Sequence, residues 1–447
     1  MTDNNHHDHP EYDDSTGSAD LAFTRRLFLQ KGLTMISAAA TVPFFIQRSA
    51  FAINNPFDVM LTSSIAGVPE DHILVVVQLA GGNDGLNTVV PYGIDEYYKA
   101  RPQLAVRPNE VIRINEIPGL GFHNNLTGFK ELYDEGLFSC VHGVGYPNPN
   151  RSHFTSTDIW SSANPARPQD NGWLGRYFDH QCNGKPCPDG AVAIGATAPK
   201  ALMGQTNKPI TFETAEMFRW IGEDVDHDLE HPYEKLNRTL AANQSSNNKS
   251  KNESQLDFLT RTSLDAQIAS EQIRSAVAKQ SLVEYPGNPL AAQLKTVAAM
   301  IRAGLPTRVY YVSLGGFDNH AGEKGPHSNL MTQLGSSILA FQNDLKKQGN
   351  DGRVLTMTFS EFGRRVKQNA SVGTDHGTAA PMFLFGPMVK PGFHGKHPSL
   401  TNLDHGDLKF SVDFRSVYAA VLENWLGADS KKVLKGSFRP APIIQTT

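Results

Sequence analysis

The chain is 447 residues long, 39% hydrophobic and 19% charged, which is enough apolar material for a large buried core and excludes a disordered polymer. Its formal charge of −4 offers no basic footprint for nucleic acid. Three cysteines are too few for a disulfide framework.

Residues 1–52 read as a targeting segment. A His- and Asp-rich leader runs into Thr24-Arg25-Arg26-Leu27-Phe28-Leu29-Gln30-Lys31, Gly32 to Ile46 is apolar, and Ala50-Phe51-Ala52 supplies small residues for cleavage. The pattern resembles a twin-arginine signal, which implies export of a folded chain to the periplasm or beyond. The apolar run is shorter than the roughly 20 residues of a spanning helix, and an uncleaved membrane anchor is the alternative reading. No later stretch is apolar and long enough to span a bilayer, so the mature chain, residues 53–447, is expected to carry no integral span.

Ile73 to Val77 reads ILVVV, as a central strand buried on both faces does. Gly81-Gly82-Asn83-Asp84-Gly85 follows. It is either a plain turn or part of a site, because ligands of open α/β sheets bind outside the carboxyl ends of the strands. Leu126 to Tyr133 has helical spacing, Leu137 to His142 is a short strand, and Ser152 is placed to cap a helix that opens at His153. Cys182 and Cys187 either close one small loop in an oxidising compartment or stay free, while Cys140, in an apolar run, is a core residue. Residues 190–256 are expected to form an insertion in an otherwise single domain. Within it, 190–235 is irregular and rich in Gly, Pro and Thr, and Ala241 to Gln255 is polar low complexity, an exposed loop that cannot bury enough surface to fold alone. Further helices are expected over Leu256 to Gln280, Pro289 to Ala303, Leu330 to Lys347 and Asp413 to Leu426, with strands over Arg308 to Leu314, Arg353 to Phe359 and Pro381 to Phe385. The alternation predicts an α/β fold: a mainly parallel sheet sandwiched by helices.

Several of these strands end in glycine-flanked acids or imidazoles. Asp84 follows the first, Asp318 and His320 another, Glu361 a third, and Asp375-His376 precedes the next. Each has an ordinary explanation as a turn, a cap or an ion-pair partner; Glu361 can pair with Arg364 or Arg365. The same placement on three strands, however, converges such groups on one sheet edge, and carboxylates mixed with imidazoles suit zinc, manganese or iron.

Taken together, LAGGNDGLNTVVPY, RSHFTSTDIW, NGWLGR, GGFDNH, FSEFGRR and GTDHG, in that order behind the signal, resemble the bacterial DUF1501 family over nearly all of the mature chain. That family is grouped with the alkaline phosphatase and sulfatase superfamily, whose members bind two metals at the C-terminal edge of a parallel sheet. The resemblance implies an alkaline phosphatase/sulfatase-like fold, a divalent metal such as zinc, and hydrolysis or transfer of a phosphate or sulfate ester. It implies Asp84, Asp318, His320, Glu361 and His376 as metal ligands. Phe362 stands where a further histidine is usual and Asp318 and His320 are spaced more tightly than usual, so one metal fits better than two. Ser152 is the nearest hydroxyl at a helix start, either the nucleophile or only a cap, since Pro149 holds the expected position. Arg151, Arg364 and Arg365 are candidates to clamp the anion. The alternative is a non-catalytic exported binding or assembly protein on the same fold, and association with the exported DUF1800 family implies a partner of that type in either case.

Replacing both Arg25 and Arg26 with Lys is expected to hold the precursor in the cytoplasm, as read by fractionation and immunoblotting. Undiminished export of that variant refutes the twin-arginine reading.

Overall fold

The computed structural model describes residues 71–185, 187–216 and 269–445. The targeting segment, Ala241–Gln255 and most of the helix expected over Leu256–Gln280 lie outside them. In chain order the described elements are β1 (Ile73–Leu79), α1 (Gly85–Thr88), β2 (Val89–Val90), α2 (Asp95–Ala100), β3 (Ile112–Arg113), β4 (Gly121–Phe122), α3 (Thr127–Asp134), β5 (Phe138–Gly145), α4 (His153–Ser162), α5 (Trp173–Gln181), β6 (Ala191–Ile194) and β7 (Ile210–Phe212). They continue with α6 (Pro289–Arg302), β8 (Val309–Leu314), α7 (Lys324–Gln348), β9 (Val354–Phe359), β10 (Ala380–Phe385), β11 (Gly392–His394), β12 (Val412–Asp413), α8 (Phe414–Asn424) and α9 (Ser430–Leu434).

The aliphatic run of β1 has no polar side because both of its faces are covered. Leu74 and Val76 join a core with Trp160 of α4, Tyr177 of α5 and Tyr418 of α8. Ile73, Val75, Val77 and Leu79 point the other way, into a core with Phe129 of α3, Val297 of α6 and Ile338 of α7. Alternation along one strand thus divides its residues between two apolar layers, each fully buried aliphatic contributing about 1.5–3 kcal/mol. Parallel partners β8 and β9 flank β1, which makes it the centre of a sheet ordered β11-β5-β10-β9-β1-β8-β6-β7, with β12 on β5. Only β10 runs against the others, antiparallel to both β9 and β5. The expected mainly parallel sheet between helical layers is therefore observed, with β10 making it mixed. A second, three-stranded antiparallel sheet joins β2, β4 and β3.

The region expected as an insertion differs in part from that reading. Residues 191–194 and 210–212 are β6 and β7, β6 paired in parallel with β8 and β7 with β6, and so they form one edge of the main sheet. Strands of four and three residues among Gly, Pro and Thr are too short for periodicity to reveal. Cys182 and Cys187 are joined as a disulfide across the end of α5, their Cα atoms 6.3 Å apart, and Cys140 is free and buried in β5. Among the described residues no helix is long and apolar enough to cross a membrane.

Helices α3 and α7 cross at Gly128, where a methyl group would meet the Gly335 carbonyl of the opposite backbone. Gly128→Ala is expected to force the helices apart and to cost about 1–3 kcal/mol, read as a lower urea midpoint at unchanged m-value. Gly335→Ala, whose new methyl meets the Leu126 side chain at 3.3 Å, is expected to cost less.

Candidate metal centre

Three loops meet where β1, β8 and β9 end. The β1 loop crosses the β8 loop at Gly81, whose φ of +117° suits only glycine and whose Cβ, if present, would lie 2.6 Å from the Asp318 amide nitrogen. Arg364, buried in the β9 loop, fastens both. Its guanidinium donates to the carbonyls of Gly82 (2.8 Å), Thr374 (2.8 Å), Phe317 (3.0 Å) and Gly81, and to Asp318 Oδ1 (2.8 Å). Because β10 runs backwards, the loop before it reaches the same edge, and His376 pairs with Arg364 as an isolated β-bridge. A fourth contribution comes from the first residue of α4, His153.

The side chains converge by their ring nitrogens. His153 places Nδ1 2.8 Å from Glu361 Oε1, an oxygen that also accepts the Gly81 N–H at 2.8 Å. His376 places Nδ1 2.8 Å from the Arg151 carbonyl. Both partners accept, so a proton on Nδ1 serves each of these bonds, and in that tautomer Nε2 is turned outward bare. His153 Nε2 is buried with no hydrogen-bond partner, 3.4 Å from Asp318 Oδ2. His376 Nε2 lies 3.1 Å from Asp318 Oδ1 and 2.9 Å from His320 Nε2. His320 Nε2 is itself 2.9 Å from Asp318 Oδ1, and its Nδ1 is 3.5 Å from Asp375 Oδ1. Burial acts to raise the Asp318 carboxyl, but the Arg364 guanidinium that donates to it outweighs burial and holds the group well below the usual carboxylate range.

This donor set fits a divalent cation. His153, Asp318 and His376 offer ligand atoms all within 4.8 Å of one another. Zinc bonds of about 2.0–2.1 Å in a tetrahedron place ligand atoms roughly 3.3 Å apart, close to the 2.9–3.4 Å spacings between neighbours here. Acceptors behind the imidazoles are the outer shell that metal-ligating histidines require.

Of the residues expected to gather, Asp318, His320 and His376 do so, and three expectations need correction. Asp84 turns away from the cluster, because the chain enters α1 directly after it and carries its carboxylate beneath the helix. There it meets Arg101 Nη1 at 2.5 Å, with both side chains buried. Glu361 stands behind His153 as its hydrogen-bond acceptor, with Oε2 buried and unpartnered. The arginines are occupied: Arg364 by the loops it ties, Arg151 by Asp407, and Arg365 by the same carboxylate at 3.6 Å. Ser152 is exposed at the N-terminus of α4, and its hydroxyl makes no capping bond. Phe362 lies against the His153 and His376 rings, at centroid distances of 4.9 and 4.7 Å, as an apolar floor.

His153, Arg101, Glu323 and Asp407 were not singled out from the sequence. His153 had a signal: it follows the N-cap position of a helix aimed at the strand ends. Glu323 had none. Burial first, and then the charge and hydrogen bond of Asp84, push the Glu323 carboxyl up to about 9. It therefore keeps a proton at neutral pH and donates it to Asp84, while accepting from Thr374 Oγ1 at 2.7 Å. Burial likewise lowers His327, beside this pair, to about 4, so it is neutral.

A family model described as "Protein of unknown function (DUF1501)" matches residues 141–437. No curated protein matches the chain. Solved structures similar to it include the lipoteichoic acid synthase LtaP of Listeria monocytogenes, at 9% identity and TM-score 0.33, covering 75% of this chain and 71% of that one. The PsFucS1 sulfatase of Pseudoalteromonas sp. matches at 10% identity and TM-score 0.34, over 84% and 74%. A protein of the alkaline phosphatase superfamily from Vibrio parahaemolyticus matches at 8% identity and TM-score 0.30, over 79% and 70%.

The buried pair makes stability depend on pH with a definite sign. Glu323 holds its proton in the folded state where the unfolded chain has lost it, so its contribution is complete below the ordinary glutamate range and is lost as pH rises toward about 9. Glu323→Gln, which donates without titrating, is expected to flatten the fall in Tm across that range. Arg101→Met, which leaves Asp84 buried without its cation, is expected to cost about 3–5 kcal/mol in chemical denaturation.

Proposed function

The chain belongs to the DUF1501 family, and for this member we propose a one-metal, metal-dependent hydrolase of phosphate or sulfate esters, exported to the periplasm or beyond. The observation that carries the reading is the convergence of three imidazole Nε2 atoms on the Asp318 carboxylate, with acceptors behind the rings. His153, His320, His376 and Asp318 would hold the ion. When bound, a divalent cation supplies Lewis-acid charge for ester oxygens and brings the pKa of bound water to about 7.

The remaining work falls to the chain. Glu361 fixes the His153 tautomer, the Arg151 carbonyl fixes that of His376, and Arg364 sets the angle of Asp318. Phe362 closes the floor against water. The N-terminus of α4, with free N–H groups and a positive dipole end beside the site, favours an anionic ester, and Ser152 is the hydroxyl nearest that end. A second reading, a metal-holding binding or assembly protein on the same fold with an exported DUF1800-type partner, is favoured by one observation: Arg151, Arg364 and Arg365 already have carboxylate partners.

Elemental analysis of the exported protein is expected to find one metal per chain. Glu361→Gln is expected to weaken metal affinity by about 10–100-fold, and Asp318→Asn combined with His153→Ala to abolish uptake with the fold retained by circular dichroism. Metal-dependent cleavage of nitrophenyl phosphate or nitrophenyl sulfate, lost in that double variant, supports the hydrolase. Stoichiometric metal with no turnover supports the second reading, and absence of metal refutes both.

A further inference from the structure

We propose that Asp407, remote in sequence from every residue of the centre, is a positioning residue for His376, acting through Arg151; the idea rests on reading the cluster as a metal centre. Arg151 has two ends with two tasks. Its carbonyl accepts the His376 Nδ1 proton at 2.8 Å, which leaves Nε2 bare toward Asp318. Its guanidinium is held by the Asp407 carboxylate.

Other bonds brace the loop that carries Arg151 only within itself. Between β5 and α4 it is braced by Asn150 N–H to the Tyr146 hydroxyl (3.0 Å) and Ser152 N–H to Asn150 Oδ1 (2.8 Å). The second bond fixes the Arg151–Ser152 peptide plane, and with it the Arg151 carbonyl, within the loop, but neither bond ties that plane to the hairpin that carries His376. Asp407, by contrast, is firmly placed. Its backbone N–H and carbonyl are both paired with Asp404, at 2.9 and 3.0 Å, and its side chain is 1% exposed. The next residue, Leu408, accepts from Thr378 Oγ1 at 2.6 Å, two residues beyond His376. Arg365, on the same hairpin as His376, approaches the other Asp407 oxygen at 3.6 Å. One buried carboxylate therefore sits between the loop leading into His153 and the hairpin that carries His376, and holds an arginine from each.

Substitution can separate this role from plain structural support. Arg151 and Arg365 keep side-chain exposures of 42% and 33%, so removing the Asp407 charge strands no buried cation. In metal-free protein, nitrogen-15 spectra of the histidine rings are expected to show His376 as the Nδ1-protonated tautomer, and Asp407→Asn to convert it to a mixture with the Nε2-protonated form. Cobalt(II) affinity, titrated optically, is expected to fall by about 10–100-fold in Asp407→Asn and by a similar factor in Arg151→Met, which keeps the carbonyl. The double variant is expected to be no weaker than either single one, since both cut the same path, and Asp407→Glu is expected to recover part of the affinity. An unchanged tautomer, or losses that multiply in the double variant, overturns the proposal. If the wild-type protein takes up no cobalt, the metal reading fails while the tautomer measurement still judges the link to Asp407. If Asp407→Asn does not fold, Arg151→Met, which leaves Asp407 with Arg365 as its remaining cation, gives the same two readouts.

Discussion

One buried guanidinium joins the parts of the site to one another. Arg364 makes four of its five hydrogen bonds to main-chain carbonyls, two from the β1 loop and one each from the β8 loop and the segment before β10. Loop carbonyls withdrawn from water must find donors or cost free energy, and guanidinium is the side chain that can serve several at once in a fixed plane. The fifth bond goes to Asp318, so the group that orders the loops also sets the charge at their meeting point. Without a net positive group here, a carboxylate and three imidazoles facing one another would have only each other's lone pairs for company.

Beside this hub lies a second buried polar set with the opposite character. Asp84, Arg101, Glu323, His327 and Thr374 balance their charges internally, through an ion pair, a retained proton and a neutral imidazole. The two sets share a sheet edge but differ in completeness. Asp84 Oδ1, His153 Nε2 and Glu361 Oε2 are all buried without partners, but in the Asp84 set a cation, Arg101, and a retained proton, on Glu323, already answer the charge. Buried polar atoms rarely remain so unless something else satisfies them, which is why the unfinished set draws the functional argument.

The architecture was legible because its signals are one-dimensional. An aliphatic run such as Ile73–Val77 can only be covered on both sides, and acids that follow strands must lie near strand ends. What a linear reading does not contain is the direction in which a loop turns after the strand. Asp84 and Asp318 look equivalent in sequence, each just past a strand and next to glycine, yet the immediate start of α1 carries one downward while Gly316, at φ +100°, lets the other stay at the edge. His153 was missed for a related reason: it arrives at the edge from a helix start, not a strand end. Asp407 and Glu323 act through partners far from them in sequence, such as Arg151 and Asp84, and no local pattern marks such residues.

The reversed direction of β10 has a consequence for how this centre can change. Strands β9 and β10 are adjacent and antiparallel, so residues 360–379 leave the sheet and rejoin it at points about 5 Å apart. That one hairpin holds Glu361, Phe362, Arg364, Asp375 and His376, and the Arg364–His376 bridge zips its base. The loops after β1 and β8 are different, since each leads into long stretches of chain that must travel before another sheet strand forms. One ligand, His376, and the groups that position the others, Glu361 and Arg364, thus reside in a cassette, a contiguous piece whose ends are set by the sheet and whose tip is pinned to Gly322, Glu323 and Ala100 by main-chain bonds. Drift, recombination or deliberate grafting can rewrite the centre there while the scaffold stays the same.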